Sequence, residues 1–166
     1  MARTGKNGAS RWPYLAGLLA VGGLFGAALY LQYALHQEPC PLCMVQRLIF
    51  SAIGGVFALA AMHNPQATGA KIYGLLIGLL ACAGVGVAGR HIWLQHLPKD
   101  QVPACGPGLD YLLHNFPLSS VLQELLHGSG ECAEQGWKLL SLGIPEWSLL
   151  AYIGLGIWAI LVAVRR

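Results

Sequence analysis

An all-α integral membrane protein, a bundle of four crossing helices with one long loop, is the fold the sequence predicts. Composition is the first reason. The 166-residue chain is 55% hydrophobic and 10% charged, whereas an ordinary soluble domain carries about 25% charged residues. Its polar groups are too few to cover a water-facing surface, so much of that surface must face lipid. Segmentation is the second reason. Four apolar runs, 12–33, 43–62, 72–93 and 147–164, each come near the roughly 20 helical residues that cross hydrocarbon. Residues 1–166 then form a single membrane domain, and the length leaves no room for another.

The run 12–33 is uncharged and follows Arg3, Lys6 and Arg11. That pattern looks like a secretory leader. However, the apolar part exceeds the roughly 7–15 residues leaders use and no clear cleavage site follows, so it reads as an uncleaved span. The run 43–62 holds Arg47 near its start, 72–93 holds Arg90 near its end, and 147–164 is uncharged. Tyr14, Tyr33, Trp93 and Trp147 fall near run ends, as interfacial aromatics do, while the deeper Trp158 is expected to pack. The pairs Gly22/Gly26 and Gly74/Gly78 are expected to let helices approach closely. In the loop 94–146, Leu118, Val121, Leu122, Leu125 and Leu126 repeat at helical spacing, with Ser120 and Gln123 as a capping box. Such a helix either lies flat in the membrane interface or packs on the tops of the spans.

Orientation follows from the basic residues. Arg3, Lys6, Arg11, Lys71, Arg165 and Arg166 fall on one side, six of the ten Lys and Arg. Every acidic residue falls on the other. Counting Lys and Arg in short segments places both termini in the cytoplasm. Cys40, Cys43, Cys105 and Cys132 then lie on the outer side, where disulfides persist, and Cys82 alone lies mid-span. The net charge of +3, without a basic cluster, gives no reason to expect nucleic acid as a partner.

The chemistry concentrates in Cys40-Pro41-Leu42-Cys43, which leads straight into the second span. Two intervening residues set both sulfurs at a helix start, where exposed N–H groups and the positive dipole end favour a thiolate. Arg47 lies one turn beyond Cys43 on the same face, at the membrane edge, where a charge is costly and usually functional. A static staple is a poor use of so small a ring, because it removes little unfolded-chain entropy; redox exchange is the better reading. A zinc ribbon would need a second close pair, and Cys105 and Cys132 are 27 residues apart. These two are best paired with each other. Each adjoins glycines, which suits either a mobile exchanging disulfide or a structural loop staple. Cys82, among Ala and Gly, is expected to pack as a small hydrophobe. His91 and His96 follow the third span, and either is able to approach Cys40 and Cys43.

These residues resemble the disulfide bond formation protein B (DsbB) family. The likeness rests on PCPLCMVQR at 39–47, ACGPGLDYLL from Ala104, GSGECAEQGW from Gly128 and IPEW at Ile144, and it covers nearly the whole chain. The order of motifs, CxxC before the loop cysteines, is opposite to that of the related vitamin K epoxide reductases. The resemblance implies an inner-membrane enzyme that reoxidises the periplasmic disulfide donor DsbA and passes electrons to ubiquinone, or to menaquinone when oxygen is lacking. Cys40 and Cys43 would be the pair serving the quinone. Cys105 and Cys132 would be the loop pair, with Cys105 forming the mixed disulfide with DsbA. Arg47 matches the family's quinone-site arginine, and His96, chosen over His91, its histidine. Two other classes fit parts of the pattern. A soft-metal transporter would need polar groups mid-span, and apart from Cys82 there are almost none. A scaffold with two structural disulfides would be indifferent to reduction.

Overall fold

Backbone chemistry, rather than apolarity alone, sets where each helix starts. Pro41 and Pro145 each occupy the first turn of a helix, where a missing N–H costs nothing and the fixed φ suits the helix. These boundaries come from a computed structural model, which describes residues 10–37, 39–98, 100–102, 114–117, 119–120, 130–133 and 136–166. Among the described residues four helices are long and apolar enough to cross a membrane: α1 (Trp12–Tyr33), α2 (Pro41–His63), α3 (Thr68–Gln95) and α4 (Ile144–Val164). They agree with the expected runs and extend them by a turn at most. Asn64 ends α2 in the left-handed conformation (φ 46), which Asn tolerates well. At 28 residues and 1.5 Å per residue, α3 is about 42 Å long. That exceeds the roughly 30 Å of hydrocarbon, so its last turns reach beyond it.

Two short elements precede α4: a 3₁₀ turn (Gly130–Ala133) and an antiparallel hairpin, β1 (Lys138–Leu139) with β2 (Leu142–Gly143), in which Lys138 faces Gly143. The leucine-rich helix expected over 118–126 lies mostly outside the described residues. So does Cys105.

The most extensive helix interface is between α3 and α4; α2 packs on α3, and α1 on α2. The expected glycine pairs divide. Gly74 does pack: a Cβ there would lie 2.7 Å from that of Ala163. Gly22, Gly26 and Gly78 face open space, because hydropathy does not reveal which face of a uniformly apolar helix meets protein. Two expectations are corrected. Cys82 is exposed on the outside of the bundle rather than packed. Trp158 is also exposed, its indole N–H donating to the Pro13 carbonyl at 3.0 Å. That bond places it at the end of the bundle where α1 begins.

Candidate functional site

Pro41 shapes the site before any side chain does. A residue preceding proline is pushed out of the helical region, and Cys40 is extended (φ −68, ψ 165). It therefore caps α2 instead of joining it, and its sulfur turns back to accept the Cys43 backbone N–H at 3.4 Å. That fold-back brings the Cys40 and Cys43 sulfurs to 2.9 Å from each other. Cys40 is buried in a small cluster with Leu42, Leu94 and Cys132, separate from the main core. Of the loop pair, Cys132 is the one among the described residues. Of the two positions left open for it, a mobile exposed loop or a fixed one, it occupies the fixed one. It is fully buried and hydrogen-bonds the Cys40 thiol. That bond first, then the one to Cys43, then burial push the Cys40 thiol well above its ordinary pKa.

The histidine beside the sulfurs is His91. Its Nε2 lies 3.7 Å from the Cys40 sulfur, and the ring also bonds the Cys132 backbone. His96 caps α3 on the exposed side, its Nδ1 bonded to the Ile92 carbonyl at 2.8 Å. Five residues along a helix turn a side chain about 140° away, so the two histidines cannot share a face. His91 is held in turn by Gln46, whose Nε2 lies 3.3 Å from His91 Nδ1. Both side chains are buried. With the amide donating to Nδ1, the ring proton sits on Nε2, toward Cys40. Sequence reasoning did not single out Gln46. Its position three residues after Cys43, on the same helical face, is the signal that points to it.

Arg47 is tied to α1 rather than left to the headgroups. Its guanidinium donates to the Ala28 carbonyl at 3.1 Å and to the Gln32 side chain. Beside it opens a cavity of about 480 Å³ between α1 and α2, walled by Leu24, Phe25, Leu31 and Phe50, with Cys40, Cys43 and Arg47 on its lining. Gln46 and His91 also reach it, and the hairpin closes one side. The volume is that of a small-molecule site, and the pattern of apolar walls with a few converging polar groups is typical of one. Cys40, Cys43 and His91 also present donor atoms within 4.8 Å of one another, close enough, when reduced, to share one soft ion.

Two sulfurs able to close on each other, a third placed to exchange with them and an apolar chamber at the membrane edge make this a membrane thiol–disulfide oxidoreductase. The comparisons with known proteins agree. Residues 10–162 match the family model for disulfide bond formation protein DsbB. A disulfide bond formation protein B from Hahella chejuensis is 52% identical over 90% of this chain and 92% of its own length. That from Nitrosococcus oceani is 49% identical over 89% and 87%, and that from Chromobacterium violaceum 46% identical over 98% of both. The chain belongs to the DsbB family, and so to the multi-pass disulfide oxidoreductases of the bacterial inner membrane. Soft-metal transport is not favoured.

Proposed function

We propose that this chain reoxidises a DsbA-type thioredoxin-fold oxidase and delivers the electron pair to membrane quinone, ubiquinone or, without oxygen, menaquinone. The observation that carries this reading is Cys132 buried against Cys40, with Cys40 and Cys43 both on the lining of the cavity. Both termini are cytoplasmic in this reading and both cysteine pairs face the periplasm.

The partner's thiolate attacks the Cys105–Cys132 disulfide at Cys105 and releases Cys132. The partner's second thiol resolves the mixed disulfide, leaving oxidised partner and a Cys105 thiol. Cys132 attacks Cys40 of the Cys40–Cys43 disulfide, the sulfur it touches, and Cys43 departs toward Arg47 and the cavity. Cys105 then displaces Cys40 from Cys132 and restores the loop disulfide. Cys40 and Cys43 are now both reduced, and re-forming their disulfide releases two electrons and two protons. Quinone supplies two-electron, two-proton acceptance, ending as quinol. Arg47, tied to α1, offers a fixed positive charge near Cys43 and on the cavity lining, where it would hold a carbonyl oxygen of the acceptor. His91 takes the role assigned from the resemblance to His96, because it is the histidine that lines the cavity.

The test uses purified protein, reduced DsbA-type partner and a quinone analogue, with quinone absorbance followed over time. The wild type consumes quinone with one partner disulfide formed per quinone reduced, and Cys40→Ser or Cys43→Ser abolishes consumption. Full turnover in either variant sinks the relay.

A further inference from the structure

The hairpin between the loop and α4 is built with residues that do not suit its turn. A two-residue connection of type I′ has positive φ at both central positions, which is why Asn-Gly is its usual choice. Here the positions hold Leu140 (φ 53) and Ser141 (φ 67). A bulky side chain is disfavoured in that conformation, and Leu140 is also 80% exposed. In water leucine has nothing to offset either penalty. In an apolar medium the exposed side chain is the reason to keep it.

The hairpin's position identifies that medium. Strand β2 runs without a break into α4, a membrane-crossing helix. At about 3.3 Å per residue, Leu140 stands within about 13 Å of the helix start. The indole N–H of Trp147, in the first turn of α4, donates to the Leu139 carbonyl at 3.2 Å, tying the tip to an aromatic of the interfacial kind. Below it on α4, Leu150, Ile153 and Ile157 are exposed on the same helix. The leucine tip therefore stands beside an exposed apolar face of a helix long and apolar enough to cross a membrane. On its other side the hairpin is a wall of the cavity, through Trp137, Lys138 and Leu139.

We propose that Leu140 inserts into the phospholipid interface at the cysteine end of the bundle, and that this insertion seats the hairpin wall of the cavity. The occupant is phospholipid, and the thioredoxin-fold partner is the rival that the experiment distinguishes. In the full chain, p-benzoylphenylalanine replaces Leu140, and the protein is irradiated in nanodiscs of phosphatidylethanolamine and phosphatidylglycerol, with and without reduced partner. Intact mass is expected to rise by one phospholipid in both cases. An adduct with the partner in place of lipid, or no lipid adduct, overturns the insertion.

The seating is read from Leu140→Asn, which eases the turn while removing the apolar tip. If the residue served only the turn, quinone use would be unchanged. Insertion predicts that apparent KM for quinone rises about threefold, with KM for the partner unchanged; an unchanged quinone KM overturns the seating. This second readout rests on the quinone reading above, whereas the lipid adduct does not, so failures of the two are distinguishable.

Discussion

Cys40 lies between the sulfur that reaches it from the loop and the sulfur that faces the cavity, and its proton records both. Hydrogen bonds to Cys132 and then Cys43, with burial, raise its pKa. The sign follows directly. In the reduced protein Cys40 stays protonated through neutral pH, so its contribution to stability is complete below the ordinary thiol pKa of about 8.5 and is lost as pH rises toward the raised value. Iodoacetamide labelling of the reduced protein, read by peptide mass spectrometry, should show Cys40 reacting only well above that pH. Cys132→Ala, which removes the largest cause, should move the Cys40 labelling profile to lower pH; an unmoved profile would show that Cys132 does not hold the proton. Gln46 acts one contact further out. Gln46→Leu leaves His91 Nδ1 unpaired in a buried site, at a cost of about 1–3 kcal/mol, and about a tenfold loss of turnover is expected. Gln46→Glu restores a partner but a charged one, so turnover should return with a displaced pH profile. Recovery with an unchanged profile would reduce Gln46 to a packing residue. CxxC and Arg47 were legible from spacing because their chemistry is local to one helix start. His91 was not separable from His96, since the choice depends on how α3 is rotated toward α2.

The helices themselves were legible because a membrane span announces itself by length and apolarity alone, with no partner needed. Their packing faces were not, for the same reason: a uniformly apolar helix carries no stripe. Gly84 shows what was hidden. A Cβ at that position would lie 2.4 Å from the Tyr152 ring, whose hydroxyl donates to the Gln46 carbonyl at 2.8 Å and whose face stacks on Phe50 at 4.2 Å. The close approach of α3 to α4 thus sets the ring that braces the helix carrying the site. Gly84→Val should overpack this contact by about 1–3 kcal/mol, lowering the thermal unfolding midpoint in detergent, whereas Gly78→Ala, into open space, should leave it unchanged. Equal effects from the two would refute the interface. The hairpin escaped the sequence reading because Leu140-Ser141 lacks the Asn-Gly signature that marks such turns.

Across the whole molecule, chemistry and closure sit at opposite ends of the bundle. The sulfurs gather where α2 begins and α3 ends, and at the other end Arg166 gathers the remaining segments. Its guanidinium donates to the Pro65 carbonyl at 2.9 Å and to Asn64 Oδ1 at 3.4 Å, between α2 and α3. It also donates to the Ser10 carbonyl ahead of α1 and lies 4.6 Å above the Tyr14 ring. One side chain therefore joins the start of α1, the α2–α3 connection and the end of α4. This residue contributed to the orientation count as one positive charge among six, and nothing in the sequence distinguished it from its neighbour Arg165. Hydrogen bonds from a charged group at a partly exposed site make Arg166 worth about 1–2 kcal/mol in all. Arg166→Ala should lower the unfolding midpoint by a few degrees. Well below that temperature, quinone reduction and its KM should match the wild type, because the cavity lies at the far end of the helices. A changed KM with unchanged stability would mean that the two ends are coupled through the bundle and that Arg166 does more than hold three segments together.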